Sequence, residues 1–131
     1  MTVRACLGFS VRIYGRSDLA AFDFSGGRAH WSVGLMRLRD ILLYLQDARL
    51  RMYRLHSALA PDIADPEAPR VGEQLQENRR ELALLAELAR RADVRLSFHP
   101  YSAVVLNALN EDQVLRSQAI VEAETGLLDA L

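Results

Sequence analysis

The sequence predicts an α/β protein: about three βα units around a parallel sheet in a single domain over residues 1–131. Two observations carry this. Short alternating apolar segments recur with amphipathic helical segments between them, which is the pattern of parallel strands under crossover helices. The chain, half of it apolar, is long enough for one core but supplies three strands where barrel closure takes about eight. Three parallel strands leave both edges unpaired. The chain is therefore expected to be part of a larger barrel or to be completed by copies of itself.

The elements follow in order. Val3–Tyr14, "VRACLGFSVRIY", mixes β-branched and aromatic residues in partial alternation and reads as a strand, with a loop over Gly15–Gly27. From Ser32, a candidate N-cap, the residues Leu35, Leu38, Ile41, Leu42 and Leu45 trace one apolar helix face. After Arg49, "LRMYRLHSAL" alternates and predicts the second strand. Pro61, Pro66 and Pro69 exclude regular structure in the loop after it. Val71–Ala92 reads as one helix with Leu75, Leu82, Leu85 and Leu88 on one side. "VRLSFH" is the third strand, and the last helix runs from about Glu111 to Ala130, with Asn110 as its cap and Glu111 and Asp112 in its first turn.

Composition narrows the function classes. The single cysteine, Cys6, makes no internal disulfide, no stretch approaches a membrane span, and the N-terminus lacks the pattern of a signal peptide, so a cytoplasmic protein is expected. Net charge is −1, yet residues 1–60 hold nine arginines against four acids and residues 61–131 seven against thirteen. That asymmetry permits a basic face. All sixteen basic residues are arginine, which reads first as a coding bias.

In parallel βα folds the loops after the strands form the chemical face. His99 ends the third strand, where Pro100 fixes the exit of the chain, and His56 ends the second. Two imidazoles from neighbouring strands make half of a metal site, and a third ligand has to come from elsewhere. Backbone hydrogen bonding at strand ends is the competing reading. His30, in the glycine-rich "SGGRAHW", reads as a surface residue and Trp31 as packing. "FSGGR" does not open a helix after a strand and is no phosphate loop. Tyr101 offers a ring for base stacking or for loop packing.

The segments "RMYRLHSALAP", "VRLSFHP" and "VVLNALNEDQVLRSQAIVEAETGLLDAL", with the opening "CLGF" and the helix "LMRLRDILLYLQ", resemble the N-terminal part of the UV damage endonuclease family. The Ser-Phe-His-Pro piece is the most specific. The resemblance implies a TIM barrel that cuts DNA 5′ to a photolesion with a cluster of divalent metals, commonly manganese. It implies His99, and less directly His56, as metal ligands, and DNA contacts at Tyr101, Asn107 and Phe9. The family commonly follows His-Pro with Gly-Gln-Tyr, whose last two residues probe damaged bases; this sequence has Tyr101, Ser102 and Ala103. The remaining ligands are implied on later strands, so the chain alone is expected to be inactive and either to form a homo-oligomer or to need a C-terminal half. Two rivals stand beside this: another metal-dependent barrel, apurinic endonuclease-like or sugar isomerase-like, and a non-catalytic self-assembling domain.

Overall fold

The computed structural model describes residues 7–10, 15–19, 30–60 and 71–131. Their order is β1 (Gly8–Ser10), a 3₁₀ turn (Ser17–Leu19), α1 (Trp31–Asp47), β2 (Met52–His56), a 3₁₀ turn (Ser57–Leu59), α2 (Val71–Glu77), α3 (Arg79–Arg91), β3 (Arg95–His99) and α4 (Glu111–Asp129). The three strands form a parallel sheet in the order β1-β2-β3, as expected of βα units. The wider span predicted for the first strand, the glycine-rich loop from residue 20 to 29 and the three prolines lie outside the described residues.

The core forms on one face of the sheet. Leu35, Leu38, Ile41, Leu42 and Leu45 of α1, spaced three and four apart, are buried with Tyr53 and Leu55 of β2 and with Leu82, Leu85 and Ala89 of α3. Phe9, Leu96 and Phe98 pack against the same cluster. By strand alternation and register, Met52, Arg54 and His56 share the opposite face with Arg95, Ser97 and His99. Arg54, Arg95 and His99 are exposed, so among the described residues no element covers that face. At Gly34 the backbone of α1 meets the turn after β2: a Cβ there would overlap the Leu59 carbonyl oxygen.

Two helix boundaries differ from the sequence reading. The N-cap of α1 is His30, not Ser32, because the His30 Nδ1 accepts the Ser32 backbone N–H at 3.2 Å. The helix predicted over Val71–Ala92 is broken at Asn78 (φ −95°, ψ 14°). Buried Asn78 turns both its backbone N–H and its side-chain Nδ2 onto the Gln74 carbonyl, at 3.0 and 2.8 Å. The side-chain amide thus joins the ordinary helical N–H on one carbonyl at the point where the backbone leaves helical geometry. The α4 cap is as expected, with Asn110 Oδ1 accepting the Gln113 N–H at 3.2 Å.

The returns from helix to strand repeat one design. Helix α1 ends with Arg49 at φ 56°, and α3 with Asp93 at φ 54°. In each, the next residue bonds back to the last turn, Leu50 N to Leu45 O and Val94 N to Ala89 O, both at 2.9 Å. This is the Schellman ending, here with non-glycine residues in the left-handed position. The chain then enters the sheet through equivalent bonds, Arg51 N to Leu7 O (3.0 Å) and Arg95 N to Arg51 O (2.8 Å).

Candidate metal and nucleic-acid site

His56 and His99 are direct register partners at the C-terminal ends of β2 and β3. Their ring centroids are 6.1 Å apart and the planes are tilted by 35°. Of the residues singled out in the sequence, these are the two the fold brings together. The His99 Nδ1 lies 2.9 Å from the Pro100 carbonyl oxygen. A carbonyl only accepts, so Nδ1 carries a proton, and in the neutral ring the lone pair is on Nε2. This is the arrangement in which an imidazole is held by one nitrogen and coordinates through the other. Burial, and then the neighbouring His99, hold the half-buried His56 below the usual histidine range, favouring the neutral form that coordination requires.

The sequence reading missed a carboxylate behind this pair. Glu124, buried in α4 at 3% exposure, accepts the Tyr101 backbone N–H at 2.9 Å. Its carboxyl is pushed up by burial, against the opposing pull of the Tyr101 N–H and of His99. The signal was available: Ser117, Ile120, Glu124 and Leu127 are the buried positions of α4, at spacings of three and four. Ser117 pins the same loop, accepting the Val105 N–H at 2.9 Å and donating to the Gln113 carbonyl at 2.8 Å. The loop after β3 is thus fastened to α4 at Tyr101 and at Val105.

The candidate DNA contacts part company. Tyr101 is 38% exposed and, with Asn110, Gln113 and Arg116, lines a hollow of about 430 Å³ beside the loop. Asn107 is exposed on that loop. Phe9, by contrast, lies on the helix-covered face, with its ring 5.1 Å from Tyr53 and 6.4 Å from Tyr44 in edge-on packing. Trp31 is buried, as expected. His30 is half-exposed, 3.7 Å from Glu77.

Two imidazoles at this separation fit part of a ligand set, since one ion with metal–nitrogen bonds of roughly 2 Å bridges neighbouring rings after small rotamer changes. Among the described residues, no group of three or more His, Cys, Asp or Glu side chains is arranged to hold a metal. Nor is any described helix long and apolar enough to cross a membrane.

Parallel βα units with helices on one face and paired histidines at the strand ends define the chain as an α/β protein with a candidate site on its strand-end rim. No family model matches it. Over 97 residues it is 32% identical to the UV DNA damage endonuclease of Nostoc sp., an alignment covering 74% of this chain and 30% of that protein. The chain is thus similar in sequence to the UV damage endonuclease family, and spans under a third of the relative's length.

Proposed function

We propose that this chain is the N-terminal (β/α)₃ portion of a UV damage endonuclease-like TIM barrel, contributing to a divalent-metal-dependent nuclease of DNA repair. The observation that carries the reading is the His56–His99 pair, in register at the strand ends, with the His99 Nε2 lone pair left open by the Nδ1–Pro100 bond. The similarity to a UV DNA damage endonuclease supports DNA as the substrate. The helices on one sheet face support a barrel, in which the uncovered face turns inward.

In this reading His99 and His56 would hold a divalent ion, manganese by the family resemblance, which when bound would supply water activation and charge neutralisation at a scissile phosphate. The chain's own residues do the positioning. Pro100 and Glu124 set the direction of His99 and its loop, and the exposed Tyr101 and Asn107 meet the DNA strand. With two ligands in place, the chain alone leaves irradiated DNA uncut. We place the protein in the cytoplasm.

Titration with Mn²⁺, followed by electron paramagnetic resonance, tests this. Binding is expected in the wild type and a tenfold or greater loss in His99→Ala. Equal binding by the two proteins refutes the ligand assignment. Tighter binding of irradiated than of abasic DNA separates this reading from the apurinic endonuclease-like one, and binding of DNA at all from the isomerase-like one.

A second reading, a non-catalytic domain that acts through self-assembly, is favoured by one feature. Beside the free edge of β3, Ala83, Ala86, Val94, Leu96, Leu128 and Leu131 line an apolar hollow of about 720 Å³. Sedimentation showing a dimer that takes up no Mn²⁺ would select it.

A further inference from the structure

The uncovered sheet face carries a second row of chemistry beneath the histidines. Arg54 is the register partner of Ser97, one pleat step from the His56–His99 row on the same face. With strands rising about 3.3 Å per residue, the two rows lie roughly 7 Å apart, within the span of an extended arginine side chain. Arg54 is exposed. Arg16, Arg39, Arg51, Arg90 and Arg91 each pair with a carboxylate, whereas among the described residues Arg54, like Arg95 on the same face, has no acidic partner. The three register rows of this face, Met52 with Arg95, Arg54 with Ser97 and His56 with His99, contain no acid.

An unneutralised guanidinium beside two imidazoles makes this a region of positive potential, which attracts anions and opposes a lone cation. Its planar fork matches the paired oxygens of a phosphate, and a serine hydroxyl across the register adds a donor. An anion bridging the two rows would neutralise the arginine and help the histidines retain a cation. We propose that Arg54, assisted by Ser97, is a phosphate-binding residue that grips a backbone phosphodiester of the DNA strand next to the histidine pair. The proposal rests on the reading of the chain as a DNA-handling protein.

The test is binding of a short fluorescent single-stranded oligonucleotide to the intact chain without metal, across a salt series. Arg54→Met is expected to weaken binding about tenfold and to lower the salt slope by about one. Arg80→Met, which removes an exposed charge from α3, is expected to leave both unchanged, and Ser97→Ala to cost a few-fold. Equal effects of Arg54→Met and Arg80→Met would overturn the proposal. So would competition by inorganic phosphate at concentrations matching the oligonucleotide, which would make the site one for free phosphate. Mn²⁺ uptake by the same variants keeps the two questions apart. Arg54→Met should still take up the ion, so its failure to alter DNA binding sinks this proposal alone, while absence of uptake in the wild type sinks the metal-site reading.

Discussion

Gly34 and Gly126 both sit inside helices, and the structure assigns opposite signs to the same substitution. Replacing a helix-interior glycine by alanine gains about 1 kcal/mol from the lower backbone entropy of the unfolded chain. At Gly126 the new methyl would meet the Leu75 Cδ1 at 3.8 Å, an ordinary contact. Gly126→Ala should therefore stabilise by about 1 kcal/mol, raising Tm by about 4 °C. At Gly34 the methyl would overlap the Leu59 carbonyl and lie 3.3 Å from the Leu59 Cδ1. Overpacking against backbone costs about 1–3 kcal/mol, so the net is a loss of about 1 kcal/mol and a fall in Tm of about 4 °C. Because Leu59 closes the turn directly after His56, the His56 ring proton should also shift by nuclear magnetic resonance in Gly34→Ala and stay put in Gly126→Ala. Calorimetry decides the first point, and equal stabilisation by both variants would refute the contact between α1 and the turn.

Other outcomes follow from the same structure. Leu38→Ala empties a fully buried position and should cost about 2–5 kcal/mol by urea denaturation. Arg49→Gly relieves a left-handed residue at φ 56°, a strain of about 1–2 kcal/mol partly offset by glycine's added unfolded-state freedom; equilibrium unfolding should show a net gain of up to about 1 kcal/mol. The lowered His56 value has a signed consequence. As pH falls below the ordinary histidine value of 6.5, the unfolded chain takes up the proton first, so this group's contribution to stability is present at neutral pH and declines on acidification. Urea midpoints measured between about pH 7.5 and 5.5 should drop in the wild type and drop less in His56→Gln; Glu124, raised from 4.5, acts with the opposite sign in both proteins.

The strands and helices were legible wherever one face is buried, because burial imposes the period: Leu35 to Leu45 in α1 and Tyr53 and Leu55 in β2 are such cases. The failures are local hydrogen-bond choices that periodicity does not register. Asn78 breaks an apolar stripe that continues on either side of it, and His30 displaces Ser32 as a cap because an imidazole lone pair reaches the same N–H. At the site, strand-end position placed His56 and His99 together. For Phe9, the alternation of a three-residue strand, Gly8–Ser10, is too short to say which face its ring takes. Glu124 lies on an apolar stripe of α4, and its partner, the Tyr101 N–H, is 23 residues away, a separation that no local pattern encodes.

The matched Schellman returns at Arg49 and Asp93 lie at the end of the sheet opposite the histidines. Both strands leave their turns through equivalent bonds and run five residues, so the histidine row is aligned by counting from the far end. A one-residue insertion in either turn would send one imidazole to the helix side. The connections that leave the rim are longer: fourteen residues separate β2 from α2 and eleven separate β3 from α4. The architecture thus divides labour between its two ends. One is held to a fixed length and keeps the two histidines level, while the other carries the longer connections, of which the one after β3 is tied to α4 at Tyr101 and Val105.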